Sequence, residues 1–344
     1  MGKPKNARWK KSPKDAGGHP RVRFPRNLES PEAAIARAFL SRALIPSRAR
    51  IDSRTEEARL FEKWRVNPSQ PRPGSPLDLD DSGYFSAVVT ENVSPSPIRD
   101  HALFPTMAAA ENLTTVVRLI DDWDRNGQMR SMSVVTLCRS ALESSARAVW
   151  LLSPPERSER RSRALRMVKA EILGQKKFLT KQVAGYESQG TRYESELAAL
   201  RSDLDKAIDV LSDLDAVAGA PTIEQQIELA SAWVDETAVN PQHTPMAGMA
   251  KTMYSIASGF AHGYTWTTKH MQETTDLFNI TADFLYVATT MLSAAVILHE
   301  TQSAASSSDI SELCPGHLRD VARIFHQRYV FVEREQSDLN SVAD

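Results

Sequence analysis

The sequence predicts an all-α protein: a helical bundle with a long antiparallel helical hairpin and a disordered basic N-terminal arm. Three observations carry this expectation. Apolar residues recur at helical spacing almost everywhere after residue 28. Alternating strand patterns are nearly absent, with 84–89 the single short candidate. Cap residues, prolines and glycines fall where such helices should start and stop.

In chain order, Ser30-Pro31 pairs a cap residue with a proline suited to the first helical turn, opening a helix to about Leu44. A second helix, 54–66, ends before Pro68, Pro71, Pro73 and Pro76, so 67–100 reads as a linker or surface loop. A helix over 106–125 places Ala110, Leu113, Val117 and Ile120 on one face, and Gly127 stops it. The next, 129–152, shows Val135, Cys138, Leu142, Ala146 and Val149 to a core before Pro154-Pro155 terminates it. Leu165, Val168, Ile172, Leu179, Val183 and Tyr186, then Tyr193, Leu197, Leu200, Leu204, Ala207, Leu211 and Leu214, keep coiled-coil rhythm. Ser188-Gln189-Gly190 between them can turn the chain, which predicts a hairpin over 157–217. Thr222 and Gln225 form a capping box. Helices over 280–300 and 311–333 follow, with 303–308 as a loop. The organisation expected is an arm over 1–27, a helical pair over 28–66, the linker, a bundle over 101–300 carrying the hairpin, and a C-terminal helix and tail over 301–344.

Composition bounds the function class. The 344 residues suffice for roughly two domains, and 41% hydrophobic with 25% charged residues is ordinary for a soluble globular protein. The net charge of −1 hides an asymmetry: nine Lys or Arg between Lys3 and Arg26 face Asp15 alone. Such an arm either solubilises the chain or contacts RNA or another polyanion. Cys138 and Cys314 are the only cysteines, so no disulfide framework exists and a reducing compartment is expected. The basic start lacks an apolar run after it, which argues against a secretory signal and for a cytoplasmic protein. Residues 280–298 approach membrane-span length, but Thr281, Asp283, Thr289, Thr290 and Ser293 favour a buried core helix, and no membrane partner is expected.

Tyr254, Ser258 and His262 fall at i, i+4 and i+8 and would stack a phenol, a hydroxyl and an imidazole along one helical stripe. Arg139, Glu143 and Arg147 repeat the spacing. If the two helices face each other, Glu143 could orient and charge the His262 ring, and Arg139 could bind an anionic group. Trp266 would wall such a pocket. On a solvated face the same Arg–Glu–Arg ladder contributes only about 0.2–0.5 kcal/mol per pair, and His262 before Gly263 is also the pattern of an ordinary helix end.

The helix RSALESSARAVWLL (139–152), paired with the Y-x-x-x-S-x-x-x-H-G stripe, resembles uncharacterised actinobacterial helical proteins. Those in turn are similar to the HEPN superfamily (higher eukaryotes and prokaryotes nucleotide-binding). The resemblance covers about residues 106–300. It implies an all-helical bundle, often dimeric, sometimes a metal-independent ribonuclease or RNA-binding partner in toxin or antiviral systems. Those nucleases use an Arg with a His four to six residues further on. No Arg so precedes His262, whereas Arg319 and His326 have six residues between them. A ribonuclease would use His262 as general acid or base, Arg139 to stabilise phosphorane charge, and Tyr254 or Ser258 to position the phosphate.

Other chemistries lack their motifs. Pro245 and Ala250 occupy the glycine positions of a phosphate loop before Lys251-Thr252, and no G-x-G-x-x-G, G-x-S-x-G or H-E-x-x-H occurs. Cys314 and His317 make half a zinc site. No cofactor and no metal are expected. The leading expectation is a partner-binding protein, oligomeric or joined to another protein through the hairpin; the rivals are the HEPN-like effector and a protein bound to nucleic acid by its arm.

Overall fold

The computed structural model describes residues 46–188, 193–237, 245–270 and 272–343. The arm over 1–27, the helix opened by Ser30-Pro31, most of the hairpin turn and the loop before Pro245 lie outside the described residues. The chain divides into two units at residues 45 and 46, and all that follows concerns the second. Its fold is all-α, with no strand among the described residues.

Helix α1 spans 46–59, followed by α2 (Phe61–Val66), α3 (Pro76–Asp81), α4 (Ala87–Asn92), α5 (Pro97–Asn126) and α6 (Ser131–Leu152). After these come α7 (Arg157–Glu187), α8 (Glu194–Asp213), α9 (Ile223–Glu236), α10 (Met246–Ala261), α11 (Thr274–Ser303) and α12 (Gly316–Ala343).

The hub is α6. Its buried residues, among them Val134, Cys138, Leu142, Val149 and Trp150, run round much of the helix, so it packs against α5, α9, α10 and α11 at once. Helix α11 is apolar all round, and 89% of its most apolar stretch is buried in the bundle. Two of its hydroxyls are satisfied locally, Thr281 donating to Leu277 O at 2.7 Å and Ser293 to Thr289 O at 2.9 Å, while the buried Thr289 hydroxyl has no partner among the described residues. At its end Glu300, 1% exposed, accepts from Trp64 Nε1 (2.7 Å), Ser69 Oγ (2.8 Å) and Ser311 N (3.3 Å). Three donors compensate that buried carboxylate.

Four features differ from the sequence reading. The strand candidate at 84–89 instead starts α4: Ser86 accepts from Val89 N at 3.2 Å as a helix cap, and a lone strand would have no ladder to join. The segment read as linker holds α3 as well, capped by Ser75 with Pro76 behind it. Helix α5 begins at Pro97 and runs through Pro105. Its first amides, which have no partner within the helix, are met by a distant side chain, since Ile98 N and Arg99 N donate to Asp81 at 2.9 and 3.2 Å. Burial pushes the Asp81 carboxyl up to about 6 against the pull of those two amides. At the other end of the chain, α12 starts after Pro315 and not at Ser311.

Helices α7 and α8 form the hairpin, with the Tyr186 and Tyr193 rings edge to face at 5.4 Å near its tip. Val89 of α4, Val168, Ile172 and Leu179 of α7, Ala207 and Val210 of α8, and Leu214 just after it make its core. Its root is fixed by cations. Arg160, 0% exposed, grips Asp80 through Nε (2.5 Å) and Nη2 (2.8 Å) and donates Nη1–H to Pro154 O and Pro155 O. Asp80→Ala would leave that guanidinium buried without its counter-charge. A loss of about 3–5 kcal/mol in urea unfolding is expected, and Asp80→Leu with Arg160→Met should recover part of it.

Candidate functional site

The ladder on α6 splits between two faces. Each step of four residues advances about 40° round a helix, so Arg147 points well away from Arg139. Arg139 Nε pairs with Glu143 at 2.6 Å, and its guanidinium carbon lies 5.2 Å from the Tyr254 ring centroid on α10. Those three residues come together. His262 does not join them.

The reason is the end of α10. Its last helical residue is Ala261, and Gly263 adopts φ 67°, which favours glycine. Gly263 N donates to Phe260 O at 3.0 Å and Tyr264 N to Gly259 O at 2.9 Å, the paired bonds of a glycine-terminated helix. His262 is thus the capping residue, exposed, with its ring tilted against Tyr264 at 5.7 Å. Among the described residues no ion pair or hydrogen bond links it to Arg139 or Glu143. Ser258 is half-buried beneath it, and its carbonyl accepts from His262 N at 3.1 Å. Trp266 is 42% exposed and meets the His270 ring edge-on at 5.9 Å. Its indole lies against Gly259, where an added Cβ would stand 2.6 Å from the ring and 2.4 Å from Thr267 Cγ2.

Arg319 and His326 are tied to backbone. Arg319 Nη2 donates to Glu312 O at 2.6 Å, and the buried His326 places Nδ1 at 2.9 Å from Thr301 O. Cys138 is buried, and burial drives its thiol far upward; Cys314 is pushed up to about 12 for the same reason. Neither is a thiolate near neutral pH. No group of three or more metal-ligating side chains occurs among the described residues.

Arg147 instead lines a cleft of about 810 Å³ bounded by α5, α6, α7 and the start of α9. Its walls are largely apolar: Leu103, Phe104, Pro105 and Met107 of α5, Met167, Ala170 and Gly174 of α7, and Val93. Phe104 is 75% exposed. The polar groups are few. His101 Nδ1 lies 2.8 Å from Pro97 O and its Nε2 2.9 Å from a Glu171 carboxylate oxygen, with the His101 side chain 9% exposed. Both nitrogens lie near oxygens, which favours the protonated ring, but Nε2 makes no aligned hydrogen bond to Glu171. Burial works against that charge, but the pairing with Glu171 outweighs it, and the His101 pKa is raised overall. The same pairing holds Glu171 below the usual carboxylate range, with Arg147 adding to the pull. Gln226, 5% exposed, donates Nε2–H to Pro221 O at 2.8 Å and leaves its buried Oε1 without a partner. Arg147 makes no ion pair or hydrogen bond among the described residues.

His101 and Glu171 were missed by the sequence reading. They lie 70 positions apart on different helices, and no local motif marks either. No family model, no curated protein and no solved structure matches the chain.

Two outcomes follow from these contacts. The His101 contribution to stability is complete below its ordinary pKa of 6.5 and is lost as pH rises through its higher folded value. The Glu171 contribution is complete above 4.5 and is lost as pH falls through its lower folded value. His101→Gln should therefore lower the urea midpoint most between those two ordinary values and least at alkaline pH. Gly259→Ala should cost about 1–3 kcal/mol by forcing Trp266 and Thr267 outward, seen as a lower melting temperature.

Proposed function

We propose that the protein is a binding protein whose cleft between α5 and α7 receives a ligand with an apolar body. One observation carries the reading: a cleft of about 810 Å³ keeps Phe104 uncovered beside a small set of charged groups. Ligand sites are typically about 300–1,000 Å³, mainly apolar, with few polar groups that fix orientation. The alternative site, around Arg139, Glu143 and Tyr254, offers an ion pair closed on itself.

The probe 1-anilinonaphthalene-8-sulfonate, an aryl body with one sulfonate, tests the cleft. Saturable binding of about one probe per folded chain is expected, with enhanced fluorescence. Phe104→Ser should weaken it about tenfold, the size of losing one apolar side-chain contact, without lowering the melting temperature. An absence of saturable binding, or a Phe104→Ser protein that binds as well as the wild type, would end this reading.

A second reading is supported by the hairpin, which exposes Leu173 (50%) and Phe178 (58%) on α7 and Ile208 (42%) on α8. Exposed apolar side chains grouped on one projection suit a protein partner or a second copy. Light scattering should then report a mass above one chain that falls with Phe178→Ser; a monomer at every concentration would count against self-association.

A further inference from the structure

One cation at the cleft has no close partner among the described residues. His101 sits between Pro97 O and a Glu171 carboxylate oxygen, and Glu171 is its partner across the cleft. Asp100, also at the cleft, is occupied by Arg99 at 2.8 Å and by the Ser94 hydroxyl. Among the described residues Arg147 makes no ion pair or hydrogen bond, and its field reaches Glu171, the partner of His101. An unpaired guanidinium therefore stands at the edge of an apolar hollow. A guanidinium presents donors in a planar fork that matches a carboxylate. The apolar walls alone would take any oily body; the unpaired guanidinium distinguishes among head groups.

Resting on the cleft reading above, we propose that the site selects a ligand with an apolar chain and a single terminal carboxylate, with Arg147 as the counter-charge to that carboxylate. The apolar chain lies along Phe104, Met107 and Met167. The carboxylate stays at the mouth, where Arg147 is exposed, and needs no burial of an uncompensated charge.

Three ten-carbon probes that differ in head group test this on the full chain: decanoate, 1-decanol and decyltrimethylammonium. Each is measured by displacement of 1-anilinonaphthalene-8-sulfonate and by calorimetry. Decanoate should bind at least about tenfold tighter than decanol, and the cationic probe most weakly. Arg147→Gln should bring decanoate down to the decanol level while leaving decanol unchanged, and Arg147→Lys should restore part of the difference. Arg147 is exposed, so these variants are expected to keep the wild-type melting temperature. Equal affinities for decanoate and decanol, or an Arg147→Gln protein that still prefers decanoate, would overturn the head-group assignment and leave the cleft standing. If the wild type binds none of the three, nor the anilinonaphthalene probe, the cleft reading falls with it.

Discussion

The structure depends on a row of cations on the first three turns of α7 that gather the carbonyl ends of other elements. Arg160 holds the Asp80 carboxylate and the Pro154 and Pro155 carbonyls. Arg161 donates to Asp80 O and Leu79 O at the end of α3, both at 2.8 Å. Arg163 reaches Trp150 O at the end of α6. Further along, Arg166 donates to Gly219 O at 3.0 Å, and Lys169 to Val217 O at 2.7 Å, beyond the end of α8. Helix ends leave up to four carbonyls without partners and carry partial negative charge. A basic helix that meets several such ends satisfies them together and fixes its own direction. Tyr329 adds to this root: its hydroxyl donates toward Leu152 O and Ser153 O, and its ring lies under Arg160.

With α7 aimed in this way, its next turns pass alongside α5, and the cleft is the space between them. The His101–Glu171 pair spans the two helices as a clamp. Small side chains on α7, Ala170 and Gly174, leave the hollow open where larger ones would fill it. Pro105 on α5 lies in the same wall. The binding surface is therefore a consequence of how the hairpin is rooted, and substitutions at Asp80 or Arg160 act on it from a distance.

Much of the fold was legible because it is written at short range. The capping box foreseen at Thr222 and Gln225 is present, with Thr222 N donating to Gln225 Oε1 at 2.9 Å and Gln225 N to Thr222 Oγ1 at 3.3 Å. The double proline ends α6 at Leu152 as read. The start of α5 was misplaced because its amides are capped by Asp81, from a separate element. The start of α10 repeats the device: Met246 N and Ala247 N donate to Asp235 at 2.7 and 3.0 Å. A periodicity of i, i+4 joined Arg139 to Glu143 within α6, the docking of α10 brought Tyr254 to them, and the next step of the same periodicity carried Arg147 round to another face. It also could not register that α10 stops one residue short of His262.

Local sequence determined which segments are helical and where most of them end, because hydrogen bonding within a helix, caps and breakers act over a few residues. It also determined that α11 belongs inside the bundle, since its apolar residues cover the whole circumference. Tertiary packing decided which polar groups meet. His101 and Glu171 on α5 and α7, and Asp80 and Arg160 on α3 and α7, are joined only after helices dock, when desolvation makes an unpaired charge costly. That requirement has no sequence period, so the pairs it selects become visible only in three dimensions.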